Sequence, residues 1–207
     1  MKNLILVLFI IANTLFSQQF STDTYHTYTV KHSDFDEHNW LIINNKAGSE
    51  IDKNSFRWEY KEKNLNPKTF AMELAPAIQN DGQVLLKMPS FEFFNELAQL
   101  PYPQVNFPLE VGDSIYVEQK IATESGSKDS VIVRGFLKVV DEDRLIINKR
   151  VPNDIMRRWT LEVHILENPN YSATYVYSNA IGFEKMIYDL DGTKIELIHQ
   201  SIFSLGI

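Results

Sequence analysis

Five side chains within seven residues have the chemistry of metal ligands: His32, Asp34, Asp36, Glu37 and His38. Neutral imidazole and carboxylate are ordinary ligands for zinc and related ions. For the two histidines to share an ion the chain must double back, because six residues of extended chain span about 20 Å. No standard zinc spacing is present, and a polar connector between two strands accounts for the same residues. The expectation is therefore no metal and no cofactor. Asp189, Asp191 and Glu196 have the look of a calcium loop, but the stretch is too short to supply the spaced ligands of a twelve-residue site. Asp191-Gly192 reads instead as a two-residue hairpin turn, and Asp141-Glu142-Asp143 as a solvated hairpin tip.

Nucleophilic chemistry finds no obvious home. The chain has no cysteine and no G-x-S-x-G elbow. Ser125-Gly126-Ser127 falls where a turn is expected. His164 alternates with Leu161, Val163 and Ile165, which puts it on the opposite face, and His199 ends a strand. No catalytic residue is assigned. A small secreted hydrolase with a site assembled from dispersed residues stays open as the alternative.

Aromatic residues give the one suggestive excess, at 12% of the chain. Phe91, Phe94 and Leu97 fall on one face of a short helix. Trp58 lies on one strand face with Phe56 and Tyr60, and Tyr175 and Tyr177 lie on another with Tyr171. Burying such faces drives folding at roughly 25 cal/mol per Å² of apolar area. The functional counterpart is an apolar groove for a lipid or hydrophobic peptide. These six residues (Phe91, Phe94, Leu97, Trp58, Tyr175 and Tyr177) are the candidate ligand-binding set.

The elements that carry them are mostly strands. Period-two patterns mark residues 24–31, 56–60 and 160–166. Further strands are expected over 40–43, 84–88, 115–122, 131–140, 145–148, 171–177, 182–188 and 193–199. Residues 70–78 read as a helical turn or an edge strand, since Pro76 opposes anything long. Ser90 can cap the helix over 91–100, and Pro101 and Pro103 end it. Regular strands joined by short turns predict a mainly β protein. It is expected to be an antiparallel meander forming an open barrel or a sandwich, with one short helix. Residues 18–207 are read as one domain, with a soft seam at the proline-rich 101–108.

Residues 1–17 have the parts of a secretory signal: Lys2, an apolar stretch over 4–12, and a small residue at Ser17. Nine apolar residues are too few to span a bilayer, which takes about 20. A cleavable signal and a periplasmic or secreted product are expected, with no transmembrane anchor after cleavage. Without a cysteine, neither a lipoprotein signal nor a disulfide framework is expected. The formal charge is −7, and loss of Lys2 with the signal makes the mature chain more acidic still. Such a chain lacks the cationic field that draws phosphate backbones, so nucleic acid is excluded as a partner.

Residues 107–114 (Phe107-Pro108-Leu109-Glu110-Val111-Gly112-Asp113-Ser114) open the meander. It closes on Gly182-Phe183-Glu184-Lys185-Met186-Ile187-Tyr188 and Asp191-Gly192-Thr193-Lys194-Ile195-Glu196-Leu197. This C-terminal half resembles uncharacterised secreted β-rich proteins of Gram-negative bacteria. More distantly it is similar to periplasmic half-barrel proteins of the lipoprotein-carrier kind. The resemblance implies a curved sheet and carries no catalytic residues. It leads to a non-catalytic exported envelope protein that binds an apolar small molecule or an envelope protein partner on that sheet. A structural docking module is a further alternative.

Overall fold

The structure, a computed structural model, describes residues 24–33, 35–44, 55–61, 71–80, 82–86, 88, 97, 99–122, 130–146 and 155–204. These form twelve strands: β1 (Thr24–His32), β2 (Phe35–Asn44), β3 (Ser55–Lys61), β4 (Ala71–Asn80), β5 (Gln83–Leu86), β6 (Gln104–Asn106), β7 (Ser114–Ala122), β8 (Ser130–Ile146), β9 (Ile155–Ile165), β10 (Tyr171–Ser178), β11 (Gly182–Leu190) and β12 (Thr193–Ser204). Their order is β6-β5-β4-β3-β2-β1-β12-β11-β10-β9-β8-β7. Every neighbour is consecutive in the chain except β1 and β12, the first and last strands, which pair antiparallel in the middle of the order. The expected meander is present, and the ladder does not close into a barrel, because β6 and β7 remain edges.

The two edges nevertheless meet. Gln119 Nε2 on β7 donates to Gln104 Oε1 on β6 at 3.0 Å, and the Tyr102 amide donates to Gln119 Oε1 at 2.6 Å. Only a strongly curved sheet brings the ends of a twelve-strand order this close, and strand twist supplies that curvature. Side-chain amides thus do at the seam what a ladder does elsewhere.

The inner face holds the core. Trp159, Tyr28, Tyr175, Tyr177, Tyr188 and Phe183 are the largest fully buried side chains. Their rings pack edge to face, with centroids 5.1 Å apart for Tyr177 and Phe183 and 5.9 Å for Tyr175 and Tyr188, the geometry the ring quadrupole favours. Two of the buried hydroxyls are satisfied by backbone: Tyr28 donates to the Phe183 carbonyl at 2.7 Å and Tyr175 to the Pro101 carbonyl at 3.0 Å. The stretch from Leu97 to Val105 lies over this face, with Leu97, Leu100 and Val105 buried.

Several sequence expectations change. The short helix falls mostly on residues outside the described ones. Where the chain is described, the Leu100 amide bonds the Leu97 carbonyl at 3.0 Å, a single tight turn before Pro101, and there is no helix among the described residues. The described part of the stretch over 70–78, from Ala71 on, is strand. Ala71–Pro76 pairs with β3 and Ala77–Asn80 with β5, so Pro76 stands where β4 changes partners and few ladder bonds are at stake. Asp141-Glu142-Asp143 is not a hairpin tip but mid-strand, opposite Thr160, Trp159 and Arg158. Arg144 and Arg157 each donate to Glu142 at 2.8 Å, which makes the acidic run compatible with a strand. The connector after His32 is a tight turn, since His32 pairs with Phe35 and β2 begins there. The turn puts His38 on the strand beside His32; the His38 side chain lies outside the described residues. Asp191-Gly192 makes the expected turn, with φ of 56° and 100°, closed by Leu190 and Thr193.

Candidate functional site

A single cross-strand row organises the outer face: Asp141, Thr160, Val176, Lys185, Ile198 and Thr29 are register partners from β8 through β12 to β1. Three β-bulges crowd beside this row. β8 inserts Val140 between Val139 and Asp141; β11 inserts Glu184 between Phe183 and Lys185; β12 inserts Gln200 between His199 and Ser201. A bulge breaks the strict alternation of faces and re-aims the inserted side chain. Here two of the three inserted residues, Glu184 and Gln200, line one pocket of about 620 Å³.

The pocket wall combines polar and apolar side chains. Arg158 Nη2 pairs with Glu184 Oε2 at 2.7 Å, with side chains only 31% and 15% exposed. Asp143 and Lys185 add one charge of each sign, and Lys185 also approaches Glu196 at 3.6 Å. Val176, Ile181 and Ile198 supply the apolar part. Three of the lining residues each hold a buried polar atom with no hydrogen-bond partner: Arg158 Nε, Glu184 Oε1 and His199 Nε2. Such atoms are rare in native proteins and mark places where water, an ion or a ligand is taken up.

His199 sits at the back. Its ring meets Tyr28 edge to face at 5.3 Å and His26 at 5.4 Å. Burial pushes the His199 pKa down, with Glu184 pulling the other way. His26 is pushed further, to about 4, by burial and then by His199. Both imidazoles are thus neutral at pH 7. The Tyr28 hydroxyl is held protonated by burial and by Glu184. The arrangement offers an N–H donor, a carboxylate acceptor and a neutral imidazole nitrogen around balanced charge. Among the described residues, no three His, Asp or Glu side chains converge as a metal cluster.

Of the candidate ligand-binding set read from sequence, the three whose side chains are described do not line this pocket. Tyr175 and Tyr177 are fully buried in the core and Leu97 nearly so. Trp58 lies on β3, its side chain outside the described residues, as are Phe91 and Phe94 altogether. The structure therefore brings Leu97, Tyr175 and Tyr177 into one interior, covered by the chain's own 97–105 stretch. His164 is exposed beside Glu162 at 3.7 Å. Arg158, Glu184 and Gln200 were not distinguishable by residue type. One signal existed: buried Phe183, Met186, Tyr188 and Leu190 are spaced three, two and two, and the single interval of three is the mark of a bulge.

No family model and no curated protein matches the chain. Among solved structures it is similar to the crystal structure of the hypothetical lipoprotein YmcC from Escherichia coli. The identity is 11% and the TM-score 0.41, over 93% of this chain and 94% of that one.

Proposed function

We propose that this is a non-catalytic, exported envelope protein that binds a small polar ligand in the outer-face pocket between Arg158, Glu184 and His199. One observation carries the reading: three residues that line one pocket, beside the inserted residues of two bulges, each hold a buried polar atom without a partner. Burying a polar group without a hydrogen bond costs on the order of 1–3 kcal/mol. A fold that keeps three of them together gains when a ligand supplies the partners. The sequence pointed to an apolar groove instead. That reading requires the 97–105 stretch to leave the inner face, because Tyr175 and Tyr177 have no exposed surface while it is in place.

The hydrolase alternative has less support. A histidine base works within hydrogen-bond reach of its nucleophile, and among the described residues His199 Nε2 has no such partner. The test is a thermal-shift series with free amino acids, monosaccharides and dicarboxylates on wild type and Glu184→Gln. Binding to the folded state raises the melting temperature with ligand concentration. A shift seen in wild type and lost in Glu184→Gln is expected. No shift with any of the three classes, or equal shifts in both proteins, overturns the pocket reading.

A further inference from the structure

Glu184 and Lys185 are consecutive in the chain, and both line the outer-face pocket. A regular strand turns successive side chains to opposite faces. The β11 bulge suspends that rule. Tyr177 pairs with Phe183 and Val176 with Lys185, so Glu184 is the extra residue, and a carboxylate and an ammonium one residue apart enter the same pocket. Two more charges join them. Arg158 pairs with Glu184 at 2.7 Å, and Asp143 on β8 is the register partner of Arg158. The lining is therefore balanced, with Asp143 and Glu184 against Arg158 and Lys185. Both bases keep donors in hand. A guanidinium has five and an ammonium three; Arg158 Nε has no partner, and Lys185 meets Glu196, outside the lining, only loosely at 3.6 Å.

That balance chooses among small polar ligands. A dicarboxylate brings its charges against Asp143 and Glu184 as well as against the bases, and like-charge juxtaposition is penalised. A monosaccharide answers four charges with neutral hydroxyls, whose hydrogen bonds are about half as strong as charge-assisted ones. A zwitterion answers both signs. Its charges must lie close together, because those of the pocket do: Arg158 and Glu184 are in contact, and Glu184 and Lys185 are neighbours. An α-amino acid carries its ammonium and carboxylate on one carbon, whereas a peptide or an ω-amino acid holds them apart. The apolar part of the lining sets the side chain. Val176 and Ile198 flank Lys185 in the register row, and Ile181 lies in the turn between β10 and β11. All three are branched and aliphatic.

We infer that the outer-face pocket is a site for a free α-amino acid with an aliphatic side chain, such as leucine or valine. The inference rests on the pocket reading above and narrows it to one ligand class. The ammonium group binds at Asp143 and Glu184, the carboxylate binds at Arg158 and Lys185, and the side chain packs on Val176, Ile181 and Ile198.

Calorimetric titration of the purified protein tests this with leucine and three relatives, each missing one feature. Isocaproate lacks the ammonium, isoamylamine lacks the carboxylate, and the straight-chain isomer ε-aminocaproate holds the two at opposite ends. Leucine binds, and each relative binds roughly tenfold or more weakly, the worth of one lost charge-assisted hydrogen bond. Alanine is weaker than leucine by about fourfold for each buried carbon lost, and Ile181→Ala narrows that gap. Asp143→Asn weakens leucine by about tenfold while its melting temperature without ligand stays that of wild type. A relative that matches leucine, equal affinities for leucine and alanine, or an Asp143→Asn protein that binds leucine as wild type does each overturns the inference. Its failure is separable from that of the pocket reading. A monosaccharide or dicarboxylate that binds wild type but not Glu184→Gln, with leucine binding neither, overturns the amino-acid assignment alone; no binding by any of the three classes overturns both.

Discussion

Gln119 and Gln104 bond side chain to side chain at 3.0 Å although they stand on the first and last strands of the sheet order. The same Gln119 also accepts from the Tyr102 amide. One residue therefore ties the seam of the curved sheet to the stretch that covers the inner face. Gln119→Leu removes the donor to the buried Gln104 oxygen and the acceptor of the Tyr102 amide. The expected loss is about 1–3 kcal/mol, read as a lower midpoint in urea with the slope unchanged. A variant as stable as wild type means the seam does not depend on this bond.

The Arg158–Glu184 pair joins β9 to the bulge of β11 at 2.7 Å. Removing one member leaves the other partly buried and unpaired, so Glu184→Leu is expected to cost roughly 1–2 kcal/mol after allowance for its partial exposure. The double change Arg158→Leu with Glu184→Leu takes away both charges and should recover part of that loss. A double-mutant cycle in chemical denaturation measures the coupling; a coupling of zero shows that the two charges are independently solvated.

What the sequence made legible follows from period and turn chemistry. Residues 160–166 and 171–177 alternate cleanly, and Asp191-Gly192 supplies the two positive φ angles of its hairpin, so β9 to β12 were readable. The strand across Asp141-Glu142-Asp143 was not, because three acids read as a turn until Arg144 and Arg157 are seen to neutralise Glu142. The site was illegible for a related reason. Arg158, Glu184 and His199 lie on three strands, and what unites them is a set of register slips that individually look like noise. The inward-facing tyrosines were conspicuous by type, yet Tyr175 and Tyr177 serve the core, where aromatic bulk is most useful.

Two glycines make contrasting predictions. A Cβ on Gly135 would lie 2.5 Å from the His164 carbonyl oxygen, a backbone atom of the paired strand that cannot rotate away. Gly135→Ala should therefore push β8 from β9 and cost about 1–3 kcal/mol, as overpacking does. At Gly192 the space is open and only the φ of 100° resists a side chain, so Gly192→Ala should cost about 1 kcal/mol through strain. Thermal melts of the two variants rank them; Gly192→Ala melting below Gly135→Ala contradicts the assignment.

Acid should loosen the fold through the paired histidines behind the pocket. Burial and His199 lower the His26 pKa from 6.5 to about 4, so between those values the unfolded chain holds a proton that the folded chain does not. The stabilisation is complete above pH 6.5, falls as pH drops through the window, and falls no further for this group below about 4. For a residue as buried as His26 the shift corresponds to about 3 kcal/mol. His199 shifts in the same direction, so both act together. Glu142, held near 2 by Arg157 and Arg144, adds a separate loss at lower pH, between about 4.5 and 2. Urea midpoints at pH 7 and pH 4.5 check this: wild type should lose stability between them, and His26→Phe, which cannot take the proton, should lose less. An equal loss in both proteins would place the acid sensitivity elsewhere in the chain.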